Sequence, residues 1–184
     1  LKIVSVDIET TGTDPSRHEA WEIAVVPLEG IQGRRPEKRC YQIPVTLVGS
    51  QYEALKVGDF YGRYTWPRPD AAHRIWDSGT TTQESLDGAF AWIFRELKDA
   101  QLLGCSVHFD AAFISELFRR HGFPAMPWHH RHLDLGSFAG GAWGAKHALS
   151  SKAMADRYPN EDAHNALADA EWNVEVYRQI TGTA

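Results

Sequence analysis

The sequence predicts an α/β fold: a mixed β-sheet flanked by helices. Three observations lead there. Short apolar runs bounded by turn residues fill the first 45 positions, and from Glu84 onward apolar residues recur at helical spacing. A short apolar strand then separates two helical stretches, the alternation expected when helices cover a sheet.

The elements follow in order. Ile3, Val4 and Val6 read as a first strand, stopped by the turn "TTGTDP". Ala20 to Leu28 and Lys38 to Val45 read as two more strands, joined by the turn-rich "EGIQGRRPE". Residues 46 to 83 carry Gly, Pro and several aromatics but no clear period. Leu86, Phe90, Ile93, Phe94 and Leu97 mark a helix, and Leu102 to Val107 a short strand. Phe109, Phe113, Ile114, Leu117 and Phe118 mark a second helix, stopped by Gly122 and Pro124. Residues 125 to 145 look loop-rich, with a short structured piece near "HLDLGSF". Helical stretches are expected at Lys146 to Arg157 and Asn165 to Ile180.

With 184 residues, 43% hydrophobic and 23% charged, the chain is expected to form one domain, 1–184, with a real core. No apolar run reaches the length of a membrane span, and the first residues lack a signal-peptide pattern. Cys40 and Cys105 form neither a metal spacing nor a disulfide framework, which fits a reducing, intracellular (cytoplasmic) setting. A net charge of −5 argues against coating nucleic acid by charge alone. It is compatible with an enzyme that handles phosphates through bound divalent metal.

Several acids stand out. Asp7 and Glu9 end the first strand two residues apart, so their side chains share a face and repel unless protons, a basic partner or cations intervene. Asp110 falls where a strand has ended and a helix begins, and helix-dipole stabilisation alone would account for it. Asp169 lies on the edge of the stripe Ala166, Ala170, Val174 and Tyr177. His164, five residues before Asp169, does not share its helical face and must approach from a loop or first turn. Four carboxylates from a strand end, a helix start and a late helix can converge on two hard cations such as Mg²⁺ or Mn²⁺. Two such ions about 4 Å apart can stabilise both oxygens of a phosphoryl displacement, and a neutral histidine nearby could take the proton from water.

Three motifs in order, "DIETTG" (Asp7 to Gly12), "HFDAAFI" (His108 to Ile114) and "HNALADA" (His164 to Ala170), resemble the DEDDh 3′–5′ exonucleases of the ribonuclease H-like fold. That family includes polymerase proofreading subunits and ribonuclease T. The resemblance implies that Asp7, Glu9, Asp110 and Asp169 bind two divalent ions, Mg²⁺ or Mn²⁺, and that His164 is the general base. It implies Thr10, Thr11, Gly12, Phe109 and Phe113 as substrate contacts. "ALSSKAMADRYP" resembles the helix before the third motif, and Asp134 a recurring structural acid. Two departures stand beside these matches: Cys105-Ser106 replaces a frequent His-Asn, and Thr13 replaces an apolar residue that packs under a terminal base.

The implied activity is removal of mononucleotides from the 3′ end of DNA or RNA, most simply single-stranded. An exoribonuclease or short-oligonucleotide degrader, and a catalytically silent nucleic-acid-binding or protein-interaction domain on the same fold, are the alternatives. A polymerase partner or a homodimer is left open. Asp59 to Trp76 interleaves aromatic and basic residues, a composition suited to single strands, although aromatics packed onto the domain explain it as well. "WHHRHLD" lacks the second ligand cluster a zinc site needs and reads as a basic loop near the substrate or a solvated turn; "GRRPEKR" reads as an exposed hairpin end, with phosphate contact as the lesser alternative.

Overall fold

The computed structural model describes residues 1–30, 36–65, 74–77, 83–123 and 126–183. The sheet is built around β1 (Ile3–Thr10), which pairs antiparallel with β2 (Ala20–Pro27). Beyond β2 lie β3 (Arg39–Gln42), β4 (Arg74–Asp77) and β5 (Gln83–Ser85), each antiparallel to its neighbour. On the other side of β1, β6 (Gln101–Gly104) and β7 (Leu133–Asp134) run parallel. Among the described residues the order is therefore β5-β4-β3-β2-β1-β6-β7, a mixed seven-stranded sheet.

Alternation along β1 decides where each face looks. Val4, Val6 and Ile8 enter a core shared with α3 (Leu86–Leu97) and α4 (Val107–Arg120). Ile3 belongs to the core on the opposite face, with Ala166, Ala170, Val174 and Val176 of α7 (Ala166–Thr181). Asp7 and Glu9 have the parity of Ile3 and so point toward α7. The register with β2 shifts between Glu9, opposite Glu22, and Thr10, opposite Ala20.

Within residues 46 to 83, the stretch without a clear period, are α1 (Tyr52–Val57), α2 (Phe60–Arg63) and β4, and β5 begins at its last residue. Neither short helix has a side-chain cap. They are held instead by a third cluster, in which Leu55, Phe60 and Tyr64 surround Trp21. The Phe60 and Tyr64 rings meet Trp21 edge-on, at 5.2 Å and 5.9 Å. These two aromatics of the Asp59 to Trp76 stretch are therefore buried core residues; positions 66–73 of that stretch lie outside the described residues.

The Gly-rich "LGSFAGGA", expected to be largely loop, is helix α5 (Leu135–Ala142), capped by Asp134, which accepts from the Ser137 N–H at 2.8 Å. Its glycines have a packing reason. A Cβ at Gly136 would stand 2.3 Å from the Leu149 carbonyl oxygen, and one at Gly140 would stand 2.6 Å from that of His147. Residues 147–149 thus run against the helix backbone, with the Leu149 N–H donating to the Gly136 carbonyl at 3.0 Å. This contact is incompatible with the helix expected from Lys146, and α6 covers only Ser151–Ala155. The strand expected to reach Val107 likewise ends at Gly104, and that expected over Lys38 to Val45 is confined to Arg39–Gln42.

Candidate active site

Asp7 and Glu9 from β1 meet Asp169 from the first turn of α7, each offering a carboxylate oxygen within 4.8 Å of the others. Asp110, in the first turn of α4 and 4% exposed, lines the same cavity of about 470 Å³. His164 lines it too, from the loop before α7. Its backbone is left-handed (φ 66°), unusual for a side chain with a Cβ, and its N–H donates to Asp169 Oδ2 at 2.9 Å. The five residues singled out for metal and base chemistry thus share one cavity.

Burial and mutual repulsion set the electrostatics. Burial, then the neighbouring charges of Asp110, Asp169, Glu9 and Glu22, holds the Asp7 carboxyl well above the usual range. Burial pushes Glu9 up to about 8, with Arg63 acting the other way. Asp110 and Asp169 are also raised chiefly by burial, while the His164 N–H and the Asn160 amide favour the charged form of Asp169. Oxygen-only donors, held close and reluctant to ionise alone, fit a hard divalent cation that would compensate their charge.

The expected substrate contacts divide. Phe109 lines the cavity, whereas Phe113 is 2% exposed in the core, with its ring 4.9 Å from that of Phe109. Thr10 donates its hydroxyl to the Gly12 carbonyl at 2.7 Å, and the Thr11 hydroxyl accepts from the Glu19 N–H at 2.9 Å. Gly12 leaves room for the buried His18 ring, from which a Cβ would be 2.4 Å away. Thr10, Thr11 and Gly12 therefore shape the turn beyond Glu9. Asp134 accepts from the Ser106 N–H at 3.1 Å, tying the start of α4 to that of α5. Burial, aided by nearby carboxylates, pushes the Cys105 thiol in the cavity wall up to about 12.

A family model for the Rv2179c-like 3′–5′ exoribonuclease domain matches residues 2–181. The chain belongs to this family. Ribonuclease T of Marinobacter nauticus is 30% identical over 186 residues, a match covering 95% of this chain and 79% of the relative. The fold is similar to that of E. coli exonuclease I in complex with a dT13 oligonucleotide, at TM-score 0.67 and 16% identity. That match covers 98% of this chain but 41% of the exonuclease I chain. A moderately thermophilic exonuclease I from Methylocaldum szegediense matches at TM-score 0.60 and 16% identity, covering 97% and 40% of the two chains. The family and the ribonuclease T relative place the chain among 3′–5′ exonucleases, which are hydrolases, and the likeness to exonuclease I supports the ribonuclease H-like fold.

Sequence reasoning passed over Glu22 and Arg63. Glu22 is the cross-strand partner of Glu9, 2% exposed and ion-paired with Arg63. An acid inside the otherwise apolar "AWEIAVV" was the available signal. Arg63 had none, because it ends a helix that depends on tertiary packing. Asn173, one turn beyond Asp169, also lines the cavity; it is 1% exposed, and its amide has no hydrogen-bond partner among the described residues.

Proposed function

We propose that the chain, as one exonuclease domain, hydrolyses phosphodiester bonds from the 3′ end of single-stranded nucleic acid. The family's description as an exoribonuclease domain supports RNA rather than DNA as the substrate. The observation that carries the reading is the meeting of Asp7, Glu9 and Asp169 within 4.8 Å, in a cavity also lined by Asp110 and His164. Asp7, Glu9, Asp110 and Asp169 would hold two divalent ions, Mg²⁺ or Mn²⁺. Such ions would supply the positive charge that the phosphoryl transition state needs.

The protein's own residues do the rest. His164 accepts the proton of the attacking water on an imidazole nitrogen while the water oxygen bonds to phosphorus. The bond from phosphorus to the 3′ oxygen of the preceding nucleotide breaks, releasing a mononucleotide. Phe109, backed by Phe113, offers an apolar face to the terminal nucleotide, and the Thr10-Thr11-Gly12 turn fixes the approach beyond Glu9. An intracellular setting suits this activity. Among the described residues no helix is long and apolar enough to cross a membrane.

The test is a time course with 5′-labelled single-stranded RNA and DNA in Mg²⁺ or Mn²⁺. A ladder shortening from the 3′ end, abolished by chelation and by Asp7→Asn, is expected. Immediate release of the labelled 5′ mononucleotide would contradict the polarity. Binding without any product would favour the silent domain.

A further inference from the structure

The peptide groups around His164 are held by a device outside the acid cluster. Arg63, at the end of α2, donates from one guanidinium nitrogen to the His164 carbonyl at 2.8 Å and to the Gly58 carbonyl at 2.8 Å. Its other terminal nitrogen pairs with Glu22 Oε2, and that same oxygen accepts from the Ala166 N–H at 3.2 Å. The guanidinium lies over the Trp21 ring, 5.3 Å from its centroid. Arg63 is one-fifth exposed and Glu22 almost fully buried.

Taken together, the loop is gripped on three sides. The His164 N–H is fixed by Asp169, its carbonyl by Arg63, and the amide two residues on by Glu22. A left-handed non-glycine residue persists only where its surroundings over-determine it, and these bonds do so. The anchor at the far end is rigid: Arg63 follows Phe60 and precedes Tyr64, both packed on Trp21, the neighbour of Glu22. A planar fork can bridge a carboxylate and two carbonyls at once, which a lysine ammonium cannot do in the same geometry.

We propose that Arg63, paired with Glu22, is a positioning residue that sets the His164 imidazole at the mouth of the acid cluster. This rests on the assignment of His164 as the base, and the measurements below separate the two. In single-turnover cleavage of 5′-labelled single-stranded RNA with Mg²⁺, Arg63→Ala should slow the reaction by about 10²-fold, the scale of a small misplacement of a catalytic group. The KM should change little. In a His164→Ala background the same substitution should add less than about twofold, because residues acting through one another are not additive. Arg63→Lys keeps the charge near Glu22 but loses the fork, and should recover only part of the rate.

A readout independent of turnover is the imidazole C2–H resonance of His164, assigned by its loss in His164→Ala. It should move or broaden in Arg63→Ala. Since Arg63→Ala strands a buried Glu22 charge, Glu22→Gln with Arg63→Met provides a folded alternative that still lacks the clamp. An unmoved His164 resonance in both variants would overturn the inference. So would full activity in Arg63→Lys, or an Arg63 effect undiminished in the His164→Ala background. Full activity of His164→Ala itself would defeat the base assignment alone, and the resonance would then decide the positioning.

Discussion

His164 and Asp169 are joined through the main chain: the histidine N–H donates to Asp169 Oδ2 at 2.9 Å. A separation of five residues keeps the two side chains off a common helical face, and the left-handed turn at His164 overcomes it. The carboxylate thus has one oxygen committed to the loop, and the other accepts from the Asn160 amide.

Because of that bond, His164→Ala and Asp169→Asn should fail differently. His164→Ala should lower the single-turnover rate by about 10²–10⁴-fold, the usual worth of a positioned base, with metal affinity nearly unchanged. Asp169→Asn keeps an oxygen to accept the His164 N–H, so the loop should stay in place while metal affinity falls. Metal titration followed by calorimetry, run beside cleavage, checks both. Equal loss of metal affinity in the two variants would contradict the division of roles.

The raised carboxyls give metal-free stability a definite pH dependence. Burial holds Glu9 at about 8 against an ordinary 4.5, so the folded state binds its proton more tightly than the unfolded state. Its contribution is therefore full below about 4.5, declines as the pH rises, and is lost by about 8. Asp7 and Asp110 shift in the same direction. In chelator, wild type should lose melting temperature across this window more steeply than Glu9→Gln. At the alkaline end Asp7→Asn should melt above wild type, by about 2–4 °C for each ~1 kcal/mol of repulsion relieved. Parallel curves for wild type and Glu9→Gln would refute the linkage.

Helix α5 offers a glycine contrast. Gly136→Ala would press a methyl against the Leu149 carbonyl and should destabilise by about 1–3 kcal/mol. Gly141→Ala meets nothing within 4 Å among the described residues and should stabilise the helix by about 0.5–1 kcal/mol. Urea denaturation of the two variants should give opposite signs. Equal effects would mean that the strand of chain at 147–149 does not rest on the helix.

Gly58 is placed to report on Glu9. A Cβ there would lie 2.6 Å from Glu9 Oε2 and 3.0 Å from the Trp21 ring. Gly58→Ala should therefore displace the carboxylate and weaken metal binding by about tenfold or more, as losses just outside a metal's ligands commonly do. Metal titration at constant pH measures it, and wild-type affinity would show that the carboxylate has room to move.

Much of this arrangement was legible in the sequence because its signals are local. Strand parity alone put Asp7 and Glu9 on one face, and the apolar stripes of α3, α4 and α7 announced their periods. The mixed sheet followed from the order of those elements. What escaped was set by distant partners. Arg63 sits on a helix with no cap, stabilised by Trp21 from another strand, and α5 is a helix despite its glycines because another segment needs their bare backbone. Glu22 was hidden by its neighbours, since an acid within an apolar strand gains meaning only when its cross-strand partner proves to be Glu9. Phe113 illustrates the reverse case: its motif suggested substrate, and its burial places it behind Phe109.

The acids that share the cavity come from β1 near one end of the described chain, from α4 in its middle and from α7 near the other end. Such a site has a high contact order: its entropic closure is completed only when the last helix docks. Recovery of cleavage during refolding is therefore expected to follow the seating of α7 rather than formation of the sheet. Any local opening that lifts this helix takes Asp169 away from the other three acids, so the completeness of the acid set follows the undocking equilibrium of α7.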